Sequence, residues 1–446
     1  MRHFDLRSGL AAVALALAGP DAGAQETPPQ EGEEEPPRFE DVVDVEAELP
    51  ALPPASGVAT RLPVSVMDVP VTVTVVPRKL LDHQEAFTLG DALKNASGVN
   101  VGTGFGVFDF FVVRGFDSLS SGLVLTDGVP EPESTFYPLY NTRQVEVVKG
   151  PAAFLYGGNP LAGAVQIVRK QPQPKRFADL AVVYGRFDTF AGTLDANAAT
   201  ADGRLAFRLN GTYQGTNSHR DLAKGSIAAV NPALTWKPDD DTRLSAHFEY
   251  ARSEWPPDTG IPFVGEEGDA LASVPRETSY QSPHDFSEQH VHRVRVDGER
   301  KLGERLTLRN RFYYTSLGWD TAGTLLAGVF SVPGGPTLVA RTLTRLDDEQ
   351  ALLGDQLELV SRFATGGVGH DLLLGVEASR LTDRFDQQVG LLPPLDLLAP
   401  SETVPPPVVP LPQFGQQGDA RSLVVAPYVV DQMALSKKVR VFLGGR

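Results

Sequence analysis

The 446-residue sequence has no cysteine, and nowhere does it hold an apolar run long enough to cross a bilayer as a helix. The first absence excludes a disulfide framework and all thiol chemistry. Basic residues are also scarce: 40 Lys and Arg stand against 56 Asp and Glu, a formal net charge of −16. That balance disfavours a nucleic-acid partner, which would need a basic face. Catalytic signatures are missing as well. There is no H-E-x-x-H and no G-x-S-x-G, so an enzyme is not expected. Gly102-Thr103-Gly104-Phe105-Gly106 lacks the G-x-G-x-x-G spacing and a helix after it, and reads as a loop rather than a nucleotide cradle. Asp239-Asp240-Asp241 is a turn cluster, not a calcium loop. His290 and His292 share one strand face, with His284 nearby; they read as lumen or loop residues, and no metal is expected there.

What is present begins with an export signal over residues 1–24. Arg2 and Arg7 form a positive start, Leu10 to Ala18 an apolar core, and Ala22-Gly23-Ala24 a small-residue cleavage site. Residues 25–60 read as an acidic linker, with ten acids against the single base Arg38 and frequent proline. Such a segment buries too little apolar surface to fold alone. Within it, Glu40-Asp41-Val42-Val43-Asp44-Val45-Glu46-Ala47 is β-prone and suited to pairing with a partner's sheet edge.

Residues 61–172 read as a small α+β unit. Pro70 to Pro77 alternates as a strand, Arg78 to Gln84 fits a short helix, and Thr88 caps a second helix with Leu89, Ala92 and Leu93 on one face. Phe110 to Phe116 is a strand, and Leu123 to Pro130 is a strand running into a D-G turn. The unit ends in Val145–Pro172: a β-branched run, Lys149-Gly150-Pro151, a turn of helix to Tyr156, Gly157-Gly158-Asn159-Pro160, and a return strand over Ala162 to Val168. Only glycine allows so tight a crossing. All of these segments except the Arg78–Gln84 helix resemble, in order, the plug of TonB-dependent outer-membrane receptors, especially the ferric-siderophore receptors. The Val145–Pro172 match is the most specific, with Lys149-Gly150-Pro151, Leu155-Tyr156-Gly157 and Gln166-Ile167-Val168-Arg169-Lys170 in the places of the family's motifs.

Residues 173–446 then show long segments of period two. Leu205, Phe207, Leu209 and Tyr213 oppose Ala206, Arg208, Asn210 and Thr212; His292, Val294 and Val296 oppose Val291, Arg293 and Arg295. One apolar face and one charged face, over strands longer than a sandwich uses, fit lipid outside and a polar lumen inside. Long connections are expected over Ser253–Glu288, Trp319–Pro336 and Val389–Asp419, alternating with short turns. The fold class expected is a membrane all-β protein: a transmembrane antiparallel β-barrel with an N-terminal α+β plug. About 11 strand candidates are present, about half of the 22 in this class of transporter. The end at Arg446 lacks the family's terminal aromatic residue. The resemblance thus implies a partial barrel with an open edge, which would not insert as a functional monomer without further strands.

The resemblance also implies roles. Glu40, Asp41, Val42, Val43, Asp44 and Val45 would be the TonB box, pulled by TonB with ExbB–ExbD and the proton-motive force. Phe105, Phe108, Phe136, Tyr137 and Tyr140, with Trp255 and Trp319, would line the ligand pocket; aromatics with polar handles suit it. Arg114 and Lys149 occupy the places of two plug arginines that lock onto barrel glutamates, although lysine lacks the bidentate fork. The function implied is import of a ferric siderophore across the outer membrane of a Gram-negative bacterium by a receptor acting as a monomer. Outer-membrane lipid and the barrel-assembly machinery would be its other partners. No cofactor is expected; iron is cargo. Cobalamin, haem or a glycan as ligand, or a passive pore or adhesin, are the alternatives.

Overall fold

A computed structural model of the chain describes residues 57, 61–62, 65, 69, 71–119, 123–132, 134–150, 155–157, 163–265, 270–402, 404–436 and 438–446. The chain divides into Met1–Leu49 and Pro50–Arg446, and all described residues fall in the second unit. The export signal and Glu40–Val45 lie outside the described residues.

The plug opens with β1 (Thr72–Pro77), α1 (Arg78–His83) and α2 (Leu89–Leu93). Thr88 and Asp91 form a capping box that starts α2. Then come β2 (Val99–Gly104), β3 (Phe108–Val113), β4 (Phe116–Asp117), β5 (Val124–Thr126), β6 (Val129–Pro130), β7 (Thr142–Lys149) and β8 (Gly163–Arg169). They form a five-stranded sheet in the order β1-β7-β8-β5-β6 and a three-stranded sheet β2-β3-β4. The β5–β8 pair is parallel and β7–β8 antiparallel. Val76, Leu81, Leu89, Leu93, Phe111, Val145, Val147 and Ile167 are buried together as the plug's core. Gly163 shows why the crossing between β7 and β8 needs glycine. Its φ is +122°, and a Cβ there would sit 2.0 Å from the Val148 carbonyl oxygen.

The largest sheet is a wall of long antiparallel strands: β9 (Phe177–Gly185), β10 (Thr189–Ala199), β11 (Leu205–Thr216), β12 (Gly225–Trp236) and β13 (Thr242–Glu254). A long connection carries the small hairpin β14 (Phe263–Val264) and β15 (Ala270–Leu271). The wall resumes with β16 (Phe286–Lys301), β17 (Leu306–Ser331), β18 (Thr337–Thr365) and β19 (Val368–Asp396). β20 (Val409–Pro410), β21 (Gln416–Ala434) and β22 (Arg440–Gly445) complete it. Each main strand pairs with the next, and among the described residues β9 and β22 are the two edges. Outward positions such as Leu180, Phe207, Leu234, Phe248 and Val296 are exposed, while the alternate Arg208, Asn210, Asn231, His247 and Glu249 are buried. Connections at one end are short: 200–204, 237–241, 302–305, 366–367 and 435–439. Long connections, 255–285 and 397–415, lie at the other end. In outer-membrane barrels the short turns face the periplasm and the long loops the outside.

Three expectations need correction. Trp319–Pro336 is not a long connection, because β17 runs to Ser331 and only 332–336 turn. The strand continues despite its glycines because β18 supplies a partner as far as Thr337. Likewise the connection over Val389–Asp419 shrinks, since β19 runs to Asp396 and β21 starts at Gln416. β17, β18 and β19 hold 26, 29 and 29 residues, far above the ~9–11 that span a bilayer. Finally, His290 and His292 face outward rather than into the lumen, beside Tyr250: one ring lies 5.0 Å away, and His290 Nδ1 is 2.9 Å from the Tyr250 hydroxyl.

Candidate functional site: the plug against its wall

The contact between plug and wall is largely ionic. Alternation along β16 turns Arg293 and Arg295 inward, where both are buried. Glu131, just past β6, meets both: its Oε2 accepts from Arg293 Nε at 2.6 Å and its Oε1 from Arg295 Nη2 at 2.9 Å. The side chains of Glu131 and Arg295 are both 0% exposed, so this pair is held out of water. Arg295 also donates to the Thr126 carbonyl of β5. Glu249 of β13 lies 3.5 Å from Arg293 and accepts from the Tyr140 hydroxyl at 3.1 Å and Asn141 Nδ2 at 3.2 Å. Plug and wall are thus joined through both signs of charge.

Beside this cluster, Asp127 and Gly128 turn the β5–β6 hairpin with φ of +47° and +80°. Asp127 accepts from the Arg169 backbone N–H at 3.0 Å and from its guanidinium at 2.6 Å. Burial alone would raise the Asp127 carboxyl, but the Arg169 charge prevails and holds it well below the usual range. Where the plug leaves for the wall, Lys170 and Arg208 share Asp195 at 2.9 and 2.7 Å.

An apolar contact lies nearer the long loops. Phe108 meets Trp319 edge-on at 6.1 Å, within a cluster that includes Val107 and Tyr140 of the plug and Ala251, Val291 and Leu317 of the wall. Above it, Phe105 caps the β2–β3 hairpin with φ +50° and is 55% exposed. Its carbonyl accepts from the Asp258 N–H at 2.8 Å, and Asp258 is paired with Arg220 at 2.6 Å. Phe136 packs on Trp255 at 5.7 Å. The Trp255 indole lies directly over Gly225, where a Cβ would come within 2.2 Å. Beneath the apex, Asp109 is buried and accepts from the Gly90 and Tyr137 N–H groups at 3.2 and 3.1 Å. Burial outweighs those bonds and pushes its carboxyl up to about 7.

The residues expected in the pocket therefore separate. Phe105, Phe136 and Trp255 lie at the loop end of the plug. Phe108, Tyr140 and Trp319 fill the plug–wall contact, and Trp319 lies within a strand rather than a loop. Tyr137 is buried in the plug core, its hydroxyl donating to the Pro132 carbonyl. Arg114 and Lys149 are brought near each other. Burial and the Arg114 charge both lower the Lys149 ammonium, which bonds Ser97 within the plug, 3.2 Å to its hydroxyl. The charges seen to join plug and wall, Glu131 with Arg293 and Arg295, were missed in the sequence. Two arginines alternating on the charged face of one strand were the available signal.

Residues 65–164 match the family model of the TonB-dependent Receptor Plug Domain. The chain is 28% identical over 429 residues to the catecholate siderophore receptor Fiu of Escherichia coli O6:H1, covering 89% of this chain and 55% of that protein. With the metal-pseudopaline receptor CntO of Pseudomonas aeruginosa it shares 29% over 419 residues, 87% of this chain and 54% of the other. The chain thus spans about half the length of the curated relatives it matches. Among solved structures, the ferric-catecholate import receptor Fiu from E. coli K12 in its open form superposes with a TM-score of 0.77 at 25% identity, covering 85% of this chain and 60% of that one. The receptor PiuA from Acinetobacter baumannii has the same fold, with a TM-score of 0.76 at 23% identity over 85% and 58% of the two chains. Residues 65–164 thus match the plug domain of TonB-dependent receptors, and the strands that follow resemble the barrel of those receptors.

Proposed function

We propose that the chain is the gated part of an outer-membrane receptor that binds a ferric siderophore outside the cell and admits it to the periplasm. The carrying observation is a plug seated by buried charge against a barrel wall, in a chain similar over 89% of its length to a protein named as a catecholate siderophore receptor. The plug must move for cargo to pass. The work would come from TonB, with ExbB–ExbD, pulling on Glu40–Val45. Iron would be cargo, with no resident cofactor, and the complete receptor would act as a monomer after delivery by the barrel-assembly machinery.

The ligand would meet Phe105, Phe136 and Trp255, with Arg220 beside them as a cation for an anionic complex. A titration of a ferric catecholate against the complete receptor, followed by tryptophan fluorescence, tests this. Alanine at Phe136 and Trp255 should weaken binding by about 2 kcal/mol or more if both are anchors. Unchanged affinity would remove the pocket from this end of the plug. Loss of uptake with binding retained in Val43→Pro, which removes a backbone donor, would support the pulling segment.

A further inference from the structure

Arg61 lies where the plug's lead-in meets the wall, far from the Glu131 cluster in sequence and against other strands, β18, β19 and β21. Its guanidinium is sandwiched between two rings, 4.6 Å from the centroid of Tyr156 in the plug and 4.5 Å from that of Tyr428 on β21. Nη1 donates to the Tyr428 hydroxyl at 2.9 Å and to Glu358 of β18 at 3.3 Å, and Nη2 lies 3.5 Å from Glu377 of β19. The cage is itself tied together: Tyr428 donates to Glu358 at 2.8 Å and Tyr313 to Glu377 at 2.7 Å. Arg446 also reaches Glu377, at 3.0 Å. Next to Arg61, Leu62 is buried with Leu155, Val360, Leu373 and Val430. The backbone is fixed as well. Arg61 has φ +56°, its N–H donates to the Gly57 carbonyl at 2.8 Å, and Tyr156 donates to the same oxygen at 3.2 Å.

We propose that Arg61 and Leu62 form a latch that fastens the plug's lead-in to β18, β19 and β21, and that tension from the preceding segment meets this latch before it meets the plug core. The chemistry suits a releasable joint. A guanidinium between rings and carboxylates is tightly held while dry, yet each partner is well solvated once parted. Release would open onto a polar cavity of ≈ 340 Å³ that Arg61 already lines with Gly128, Arg311 and Gln356, so water has a route in. The plug core around Phe111 shares no residue with the latch and need not unfold for it to open. The latch's role in transport rests on the function proposed above, but its existence does not, and the test reads the latch alone.

The chain has no native cysteine, so a single nitroxide can be placed without background. Position 57 accepts one, because among the described residues a Cβ on Gly57 meets nothing within 4 Å. A spin label on Gly57→Cys in the full chain should give a motionally restricted spectrum. Adding Arg61→Ala should make the mobile component the majority, and Arg61→Lys should fall between, keeping the charge without the fork. The pair Glu358→Gln with Glu377→Gln should mobilise the label too, with every side chain still near its native shape. A cysteine at Ala96, buried in the plug core, should stay unreactive to maleimide in all these backgrounds. An unchanged spectrum in Arg61→Ala would overturn the latch. So would exposure of the Ala96 site together with mobility at residue 57, since the lead-in would then not be separable from the plug.

Discussion

Phe111 and Glu131 are both buried in the plug, 2% and 7% exposed, and they are buried for opposite ends. Phe111 sits inside the plug's own core among hydrocarbon. Glu131 sits on its outer face and is dry only because the wall brings Arg293 and Arg295 to it. Parting two halves of an apolar core exposes surface that water penalises at about 25 cal/mol per Å². Parting an ion pair returns each charge to a solvent that hydrates it, which offsets much of the lost attraction. The plug is therefore coherent within itself and separable from its wall. That division is what a plug needs if it is to shift or leave as a body. The apolar patch around Phe108 and Trp319 is the exception, and it lies near the long loops rather than beside Asp127 and Gly128.

The largest effect should come from the core. Phe111→Ala should cost the plug about 3–5 kcal/mol by leaving a cavity. Hydrogen exchange should show it as faster exchange across β1, β3, β7 and β8 together, with the wall strands β10–β13 unaffected. Exchange that accelerated only near residue 111 would contradict a single cooperative core. Glu131→Gln should come next, at about 1.5–3 kcal/mol, because two buried guanidiniums lose a charged acceptor while Glu249 remains beside Arg293. Here protection should fall over residues 123–132 and along the facing part of β16, and the core amides should keep theirs. Core exchange rising equally in Glu131→Gln would erase the distinction between the two regions.

Much of this was legible in the sequence and some was not. The plug's elements could be read because propensity and turn chemistry agree locally: Thr88 at a helix start, Asp127-Gly128 in a hairpin, the glycine-rich turn after Tyr156. The wall's inside and outside followed from period two, which placed Arg293 and Arg295 on the charged face. Strand ends were misread at 319–331, since glycine-rich sequence looks like a loop until a partner such as β18 is present to pair with it. Pairings across long sequence separation could not be read. Nothing in Glu131 announces Arg293, 162 positions away, nor in Arg61 announces Glu358. Aromatic residues posed the same difficulty. Phe105 and Phe108 are three positions apart, yet one faces solvent and the other the wall.

A third effect concerns pH within the plug. Asp109 has a folded value of about 7 against an ordinary 3.8, because burial disfavours the ion more than the Gly90 and Tyr137 N–H groups favour it. The folded plug thus binds more protons than the unfolded chain between those values. Its stability should be greatest below about pH 4, fall as pH rises toward 7, and level off above. Asp109→Asn should flatten this slope in unfolding midpoints taken across the range. A slope that survived the substitution would assign the dependence to another group.

The smallest effect sharpens the comparison most, because it repeats the chemistry of Glu131 without the burial. Arg362 on β18 and Asp371 on β19 pair at 3.0 Å near the short turn 366–367, with side chains 69% and 45% exposed. The distance matches that between Arg295 and Glu131, so contact geometry alone would predict similar energies. Solvent decides otherwise. At the surface the Coulomb attraction is screened, and holding two long side chains in one geometry costs entropy. Arg362→Ala should therefore change stability by less than about 1 kcal/mol, and raising the salt concentration should shrink even that. Salt should barely alter the loss in Glu131→Gln, whose ions cannot be reached by counter-ions while the plug is seated. Thermal midpoints of both variants at low and high salt make the check. A loss in Arg362→Ala as large as that in Glu131→Gln would mean that exclusion of water is not what gives the plug–wall charges their hold.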